Sequence, residues 1–373
     1  MSILDELKSV YSNLEDPRIE RHKKHPLLTI LFIVLCSALA GIDEWVSMED
    51  YCEANLDFFS KHFDLSNGVP SYDTIGRVMS RIDIASFQEN FVRFTNLLSG
   101  QMKGVIAIDG KTARGSNSLQ NTKKALHVVS AWSSSNNLVL GQVATEEKSN
   151  EITAIPKLLE LLDLQGQIVT IDAMGCQKDI AQKIVEKGGD YILALKGNQG
   201  NLYEDIQFLF DAFKNENWKD FNGQKLESYD KGHGRIETRK VWATEELGQL
   251  LQDHNWPGLR CAIMVESERE IKGCKSYEKR LYISSLPAAA EKIGRSIRSH
   301  WDIENKLHWV LDVTFNEDKS QISKDNAPEA MNIMRKWALN LLNKTKGKLS
   351  IRRMQNRMKM TGSKLVEILG NEI

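Results

Sequence analysis

Two short runs limit how this chain folds more than any other feature: Gly104-Val-Ile-Ala-Ile-Asp109 and Gln167-Ile-Val-Thr-Ile-Asp172. Each is almost continuously apolar rather than alternating, and each ends in an aspartate. A strand with one wet face alternates apolar and polar residues, whereas a continuous run is buried on both faces, as in sheets covered by helices. The flanking pattern agrees. Ala125 to Trp132 and Asn137 to Ala144 read as two strands joined by a turn around Ser133 to Asn136, an antiparallel meander. Asn150 to Leu162 and Gln177 to Lys187 read as helices, Asp190 to Lys196 as a strand and Asn201 to Phe213 as a helix. This order predicts an α/β fold with a mixed sheet. The leading meander argues against a plain dinucleotide-binding fold. No Gly-x-Gly-x-x-Gly follows a strand and no phosphate-loop signature is present, so nucleotide cofactors are not expected.

The first ~95 residues carry helical rather than strand periodicity. Leu27 to Ala40 is apolar over 14 residues, short of the roughly 20 that span a bilayer. It is expected to be a buried core helix, with Pro26 near its start and Gly41 at its end. Asp43 to Phe59 has a second amphipathic pattern. Ser71 is a candidate N-cap for a helix that places Ile75, Val78, Met79 and Ile82 on one face and Arg77 and Arg81 on another. Sequence alone leaves open whether that helix reads DNA or belongs to a bundle. From about Trp218 to Ser285 the chain turns polar and strand-rich, as in Arg235 to Trp242, Arg260 to Glu266 and Lys279 to Ser284. This segment reads as a β insertion ahead of a long helix beginning near Ala289.

The formal net charge is -1, so any affinity for nucleic acid must come from local segregation of charge. Such segregation is present. From Arg335 to Lys364 run Arg335, Lys336, Lys344, Lys346, Lys348, Arg352, Arg353, Arg357, Lys359 and Lys364, with no acid between them. Arg18, Arg21, His22, Lys23, Lys24 and His25 form a second cluster. Either is a phosphate-binding surface or a solvated face. The five cysteines form no Cys-x-x-Cys pair and are odd in number. Reduced thiols in a cytoplasmic protein are expected, in keeping with the lack of a signal-peptide pattern.

The long helix contains His300-Trp-Asp-Ile-Glu304-Asn-Lys-Leu-His308. Spacings of four place His300, Glu304 and His308 on one stripe, with Trp301, Leu307 and Leu311 as an apolar flank. Glu304 is thus a third carboxylate beside Asp109 and Asp172. Three converging carboxylates repel one another unless a hard cation such as Mg2+ accompanies them. Two such ions support in-line displacement at phosphorus. The His-Glu-x-x-His zinc signature is absent.

Five motifs recur in order: Ala107-Ile-Asp-Gly-Lys-Thr112; Lys148-Ser-Asn-Glu-Ile-Thr-Ala-Ile-Pro156; Thr170-Ile-Asp-Ala-Met-Gly-Cys-Gln-Lys-Asp-Ile180; Lys196-Gly-Asn-Gln199; and His300 to Trp309 with Leu311-Asp-Val313 and Glu317-Asp318. Together they resemble the H-repeat-associated insertion-sequence transposases found beside Rhs elements in enteric bacteria. The resemblance runs from about Asp5 to about Arg353. It implies a ribonuclease-H-like catalytic domain with a β insertion, preceded by a helical N-terminal domain. The implied boundaries are 1–98, 99–345 with the insertion at about 215–285, and a basic C-terminal tail over 346–373.

The resemblance also implies an Asp-Asp-Glu triad of Asp109, Asp172 and Glu304, both catalytic and metal-binding, using Mg2+ with Mn2+ able to substitute. Cleavage at element ends and strand transfer would follow, with terminal inverted repeats and target DNA as partners, a homodimer on DNA and no membrane. A wider transposase group carries a Tyr, an Arg and a Lys where this chain has Ile297, His300 and Leu311. Arg298, His300 and His308 are therefore candidate DNA contacts, and Lys111 and Arg114, which follow Asp109 directly, are candidates because such a site needs nearby cations. Two other readings stay open: a nuclease of the same fold that cuts without joining, and a degenerate transposase that only binds DNA.

Overall fold

A computed structural model of the chain describes residues 2–100, 103–116, 125–145, 151–232, 234–345 and 347–370. Lys148 to Asn150 of the second motif, and Lys346 of the basic run, lie outside the described residues. In chain order the helical start comprises α1 (Ile3–Tyr11), α2 (Leu27–Leu39), α3 (Trp45–Ala54), α4 (Leu56–His62), α5 (Tyr72–Met79) and α6 (Ile84–Ser99). Then come β1 (Val105–Ala113), β2 (Leu126–Ser133), β3 (Leu138–Thr145), α7 (Glu151–Glu160), β4 (Ile168–Ile171), α8 (Lys178–Glu186), β5 (Asp190–Leu195) and α9 (Gly200–Asn215). The strand-rich segment is β6 (Gln224–Gly232), β7 (Arg235–Thr244), α10 (Leu250–His254), β8 (Cys261–Ile271) and β9 (Cys274–Ser284). The chain ends with α11 (Ala290–Asp302), a π-helical turn (Ile303–His308), α12 (Trp309–Val313), α13 (Ala327–Thr345), α14 (Ile351–Met360) and α15 (Ser363–Leu369).

Two compact units result, each assembled from segments distant in sequence. One comprises residues 1–102, 110–150 and 304–373; the other comprises 103–109 and 151–303. The reason lies in the first unit's core. Trp337 of α13 is fully buried, with Tyr11 of α1 and Phe87, Phe91 and Phe94 of α6 ringed around it at 5.0–5.7 Å between centroids. Helix α2, buried along nearly its whole length, packs on the same helix. The N-terminal helices thus complete a core that a residue far along the chain supplies. The C-terminal segment is helical and docks there too: Tyr51 Oη donates to the Met358 carbonyl (2.7 Å), and Gly362 N donates to Asn55 Oδ1 (2.7 Å). Among the described residues no helix is long and apolar enough to cross a membrane.

Burial also divides the basic run. Arg335 and Lys336 lie inside α13's packed surface, whereas Arg352, Arg353, Arg357 and Lys359 are exposed on α14. Charge counted along the sequence cannot separate these cases. Lys336 is 1% exposed, and its Nζ donates to Ser130 Oγ (2.8 Å) and Gln142 Oε1 (2.6 Å). Burial drives its amine down from 10.5 to about 7, against the pull of Glu317. Between those two pH values the unfolded chain binds a proton that the folded chain does not, so stability rises with pH across that window. From pH 7 to 9 the gain is expected to be about 2 kcal/mol, and Lys336→Met should flatten it. Urea titrations of both proteins at several pH values check this; equal slopes would rule the assignment out.

The second unit is built on a sheet of order β1-β4-β5-β9-β8-β7-β6. Strands β1, β4 and β5 are parallel, and β9, β8, β7 and β6 follow antiparallel. The polar segment expected as an insertion therefore extends the same sheet, joined by the pairing of β5 with β9. Helix α11 covers one face, setting Ala290, Ile293 and Ile297 against Ile168, Ile192, Val241, Ile263 and Tyr282. Gly294 permits this approach, since a Cβ there would lie 3.3 Å from Val241.

Candidate active site

The parallel strands place the two aspartates. Ile108 of β1 is in register with Ile171 of β4, and the next residues are Asp109 and Asp172. Both residues therefore stand at the carboxyl end of the parallel-paired stretch, on backbones about 4.8 Å apart along the hydrogen-bonding direction, although β1 itself runs on to Ala113, past the strand end expected at Asp109. In open α/β sheets that end is where ligands bind. Asp172 opens a tight turn: its Oδ1 accepts from Met174 N (3.0 Å) and Gly175 N (3.3 Å). Gly175 is required, because a Cβ would come within 2.3 Å of Ile171 Cγ2 and 2.8 Å of Ile155 Cδ1. The buried Cys176 thiol beside this turn is raised to about 12 by burial and by the Asp172 charge, so it stays protonated at neutral pH.

Helix α11 runs toward Glu304. Thr170 Oγ1, two residues before Asp172, lies 3.0 Å from His300 Nδ1 and pins the helix to β4 one turn ahead of Glu304. The helix then widens. Ile303 to His308 is π-helical, a form that occurs mostly as single turns inside α-helices and often at functional sites. The straight stripe of His300, Glu304 and His308 expected from spacings of four is thus interrupted. Glu304 keeps a half-exposed side chain, and His308 Nδ1 lies 3.5 Å from its Oε2 with an imidazole only 7% exposed. A carboxylate and an imidazole thus stand side by side here. The apolar flank is corrected as well. Leu307 and Leu311 are buried, but Trp301 is 45% exposed under the Arg280 guanidinium, 4.9 Å from its ring.

The model named Transposase DDE domain matches residues 100–341, and the model DDE_Tnp_1-associated matches residues 8–95. The chain belongs to the DDE transposase family. Its relatives include "Putative transposase YncI" of Escherichia coli O157:H7, 41% identical across 99% of this chain and 95% of that protein. "H repeat-associated putative transposase YhhI" of Escherichia coli K12 is 41% identical across 98% of both. A third, "Inactive transposase YbfQ" of the K12 strain, is 40% identical over 57 residues, 15% of this chain and 68% of that protein.

Against this family background, the residues expected to touch DNA divide by environment. Lys111 is 12% exposed at its side chain, and its Nζ lies among Asp312 (2.6 Å), Glu317 (2.8 Å) and Asp318 (3.6 Å). Burial alone would lower its amine, but Glu317 and Asp312 outweigh it and hold the amine above its ordinary value. This geometry makes Lys111 an internal counter-ion. Arg114 keeps an exposed side chain, while its backbone N donates to Asp318 Oδ1 (3.1 Å). Gly115 locks the two turns together: a Cβ there would sit 2.4 Å from the Ser320 carbonyl oxygen. Arg298 is half-exposed and pairs with Asp230 of β6 (2.6 Å). His300 is engaged with Thr170, and His308 is buried.

Asp312 and Glu317, the counter-charges of Lys111, carry no role in the sequence reading, although they stand in its Leu311-Asp-Val313 and Glu317-Asp318 motifs.

Proposed function

We propose that this chain is a DNA transposase that cleaves at the ends of its own element and joins them to target DNA, using Asp109, Asp172 and Glu304 in a ribonuclease-H-like arrangement. The observation that carries the reading is the register of β1 and β4, which brings Asp109 and Asp172 side by side just past the paired stretch. The donor set fits Mg2+: carboxylate oxygens are hard ligands, and Asp172 has one oxygen held by backbone N–H groups so that its other oxygen has a defined direction. Asp109, Asp172 and Glu304 would hold the metal, with Mn2+ as a substitute. When bound, a pair of such ions stabilises the attacking and leaving oxygens of an in-line displacement at phosphorus.

The protein's own part is placement. The Thr170–His300 contact sets the helix that leads into Glu304. Exposed arginines, Arg114 and Arg298 near the motifs and Arg352, Arg353 and Arg357 on α14, supply phosphate contacts. Lys111 neutralises the chain's own acids instead. Substrates are the element's terminal inverted repeats and target DNA, and holding two ends at once calls for a homodimer on DNA. Action on DNA places the protein in the cytoplasm with the nucleoid.

The test is purified protein with its element ends, in Mg2+ and in EDTA. Nicking in Mg2+ that EDTA removes, with joined product from paired ends, is the expected result. Nicking without joined product would reduce the protein to a nuclease. Specific binding without nicking in Mg2+ or Mn2+ would leave a DNA-binding descendant of a transposase.

A further inference from the structure

The turn after β4 is held by side chains that no catalytic role has yet used. Two backbone N–H groups hold Asp172 Oδ1, those of Met174 and Gly175. Each belongs to a peptide unit whose carbonyl is also taken. The unit joining Ala173 and Met174 gives its carbonyl to Asn198 Nδ2 (2.8 Å). The unit joining Met174 and Gly175 gives its carbonyl to Gln177 Nε2 (3.3 Å). Gln199 Nε2 donates to the next free carbonyl of the turn, that of Cys176. Asn198 and Gln199 lie in the turn that follows β5, and β5 pairs in parallel register with β4.

A peptide unit is planar, with its C=O and N–H pointing in opposite directions. Fixing the carbonyl therefore fixes the direction of the N–H. Asn198 and Gln177 grip one edge of two such planes, and Asp172 Oδ1 sits on the other edge of both. The carboxylate is itself planar, so holding Oδ1 on two converging N–H groups also directs Oδ2.

We propose that Asn198 and Gln177 are positioning residues for Asp172, acting through these two peptide planes to aim its Oδ2 at the metal. This rests on the reading of Asp172 as a metal ligand. Partners bonded directly to a ligand commonly change metal affinity by about 10–100-fold when replaced, and side chains one peptide plane further back are expected at the lower end of that range.

Asn198→Asp keeps the side-chain shape but sets an acceptor oxygen against the Ala173 carbonyl, and Gln177→Glu does the same at the second plane. Mn2+ binding to the full-length protein, read from the free-Mn2+ electron paramagnetic resonance signal, is the direct measurement, with Asp172→Asn in parallel. The expected result is Mn2+ affinity weakened roughly 10-fold in Asn198→Asp and Gln177→Glu. Nicking by these variants should recover at raised metal concentration, since the carboxylate remains. A loop that serves only to brace the fold would shift the melting temperature and leave Mn2+ affinity alone, which would overturn the proposal. If Asp172→Asn alone loses Mn2+, Asp172 stands as a ligand and the positioning role falls. If all three bind Mn2+ like the parent, the ligand reading falls and the positioning role with it. Should Asn198→Asp not fold, Gln177→Glu tests the same expectation.

Discussion

Asp172→Asn is expected to lower Mg2+-dependent nicking by at least about 10³-fold while leaving the fold and DNA binding in place, because metal-based charge stabilisation is worth several kcal/mol and each tenfold in rate is 1.36 kcal/mol. The substitution is nearly isosteric. The asparagine Oδ1 can still accept from Met174 N and Gly175 N, so the turn keeps the bonds that shape it. What changes is the second position, where the oxygen proposed to hold the metal becomes an amide donor. Single-turnover nicking, with band-shift binding and thermal unfolding of the same preparations, separates loss of chemistry from loss of structure. A variant that nicks within tenfold of the parent would remove Asp172 from the catalytic set.

Glu317→Ala is expected to destabilise the protein by roughly 3–5 kcal/mol, the cost of removing one partner from a buried charge network. Glu317 is 1% exposed. It accepts from Lys111 Nζ (2.8 Å) and Asn332 Nδ2 (2.6 Å), and Arg335 Nη1 lies 3.9 Å away. Burial pushes its carboxyl up, but Lys111 and Arg335 outweigh burial and keep it below its ordinary value. It therefore stays ionised in the folded state, and its contribution fades only as pH falls through that lowered value. Alanine would leave Lys111 with Asp312 and Asp318, but would take from Arg335 its buried counter-charge and from Asn332 its acceptor. Urea denaturation at neutral pH reads the loss; a change below 1 kcal/mol would show that the network reorganises around the gap. Because Lys111 follows Asp109 by two residues along β1, this network also holds the strand that carries the first aspartate.

These two sites differ in how far they could be read from sequence. The apolar runs leading to Asp109 and Asp172 were legible as strands because a short, continuously apolar run has few other ways to be buried, and β1 and β4 form there, although β1 continues past Asp109 to Ala113. The helix with Ile75, Val78 and Met79 on one buried face was legible for a similar reason, since periodicity is local; Ile82, expected on the same face, is buried but lies past the end of α5. The apolar run from Leu27 formed the expected core helix. Charges were less legible. Lys111, Arg335 and Lys336 look like surface cations in sequence, yet each is buried against partners brought from elsewhere in the chain.

The sequence by itself therefore determined the local elements, the family, and the three carboxylates worth testing. Only the tertiary structure decided which side chains surround them. The polar strands after residue 223 join the sheet through the pairing of β5 with β9, and strand pairing between distant segments leaves no mark on local periodicity. Asn198 and Gln177 reach the Asp172 turn through backbone carbonyls, which every residue possesses and no sequence pattern displays. The π-helical turn at Glu304 and the burial of His308 depend on what packs around that helix, whereas a spacing of four reports only what an undistorted α-helix would do. Periodicity is a property of neighbours along the chain; hydrogen-bond partners and burial are properties of neighbours in space.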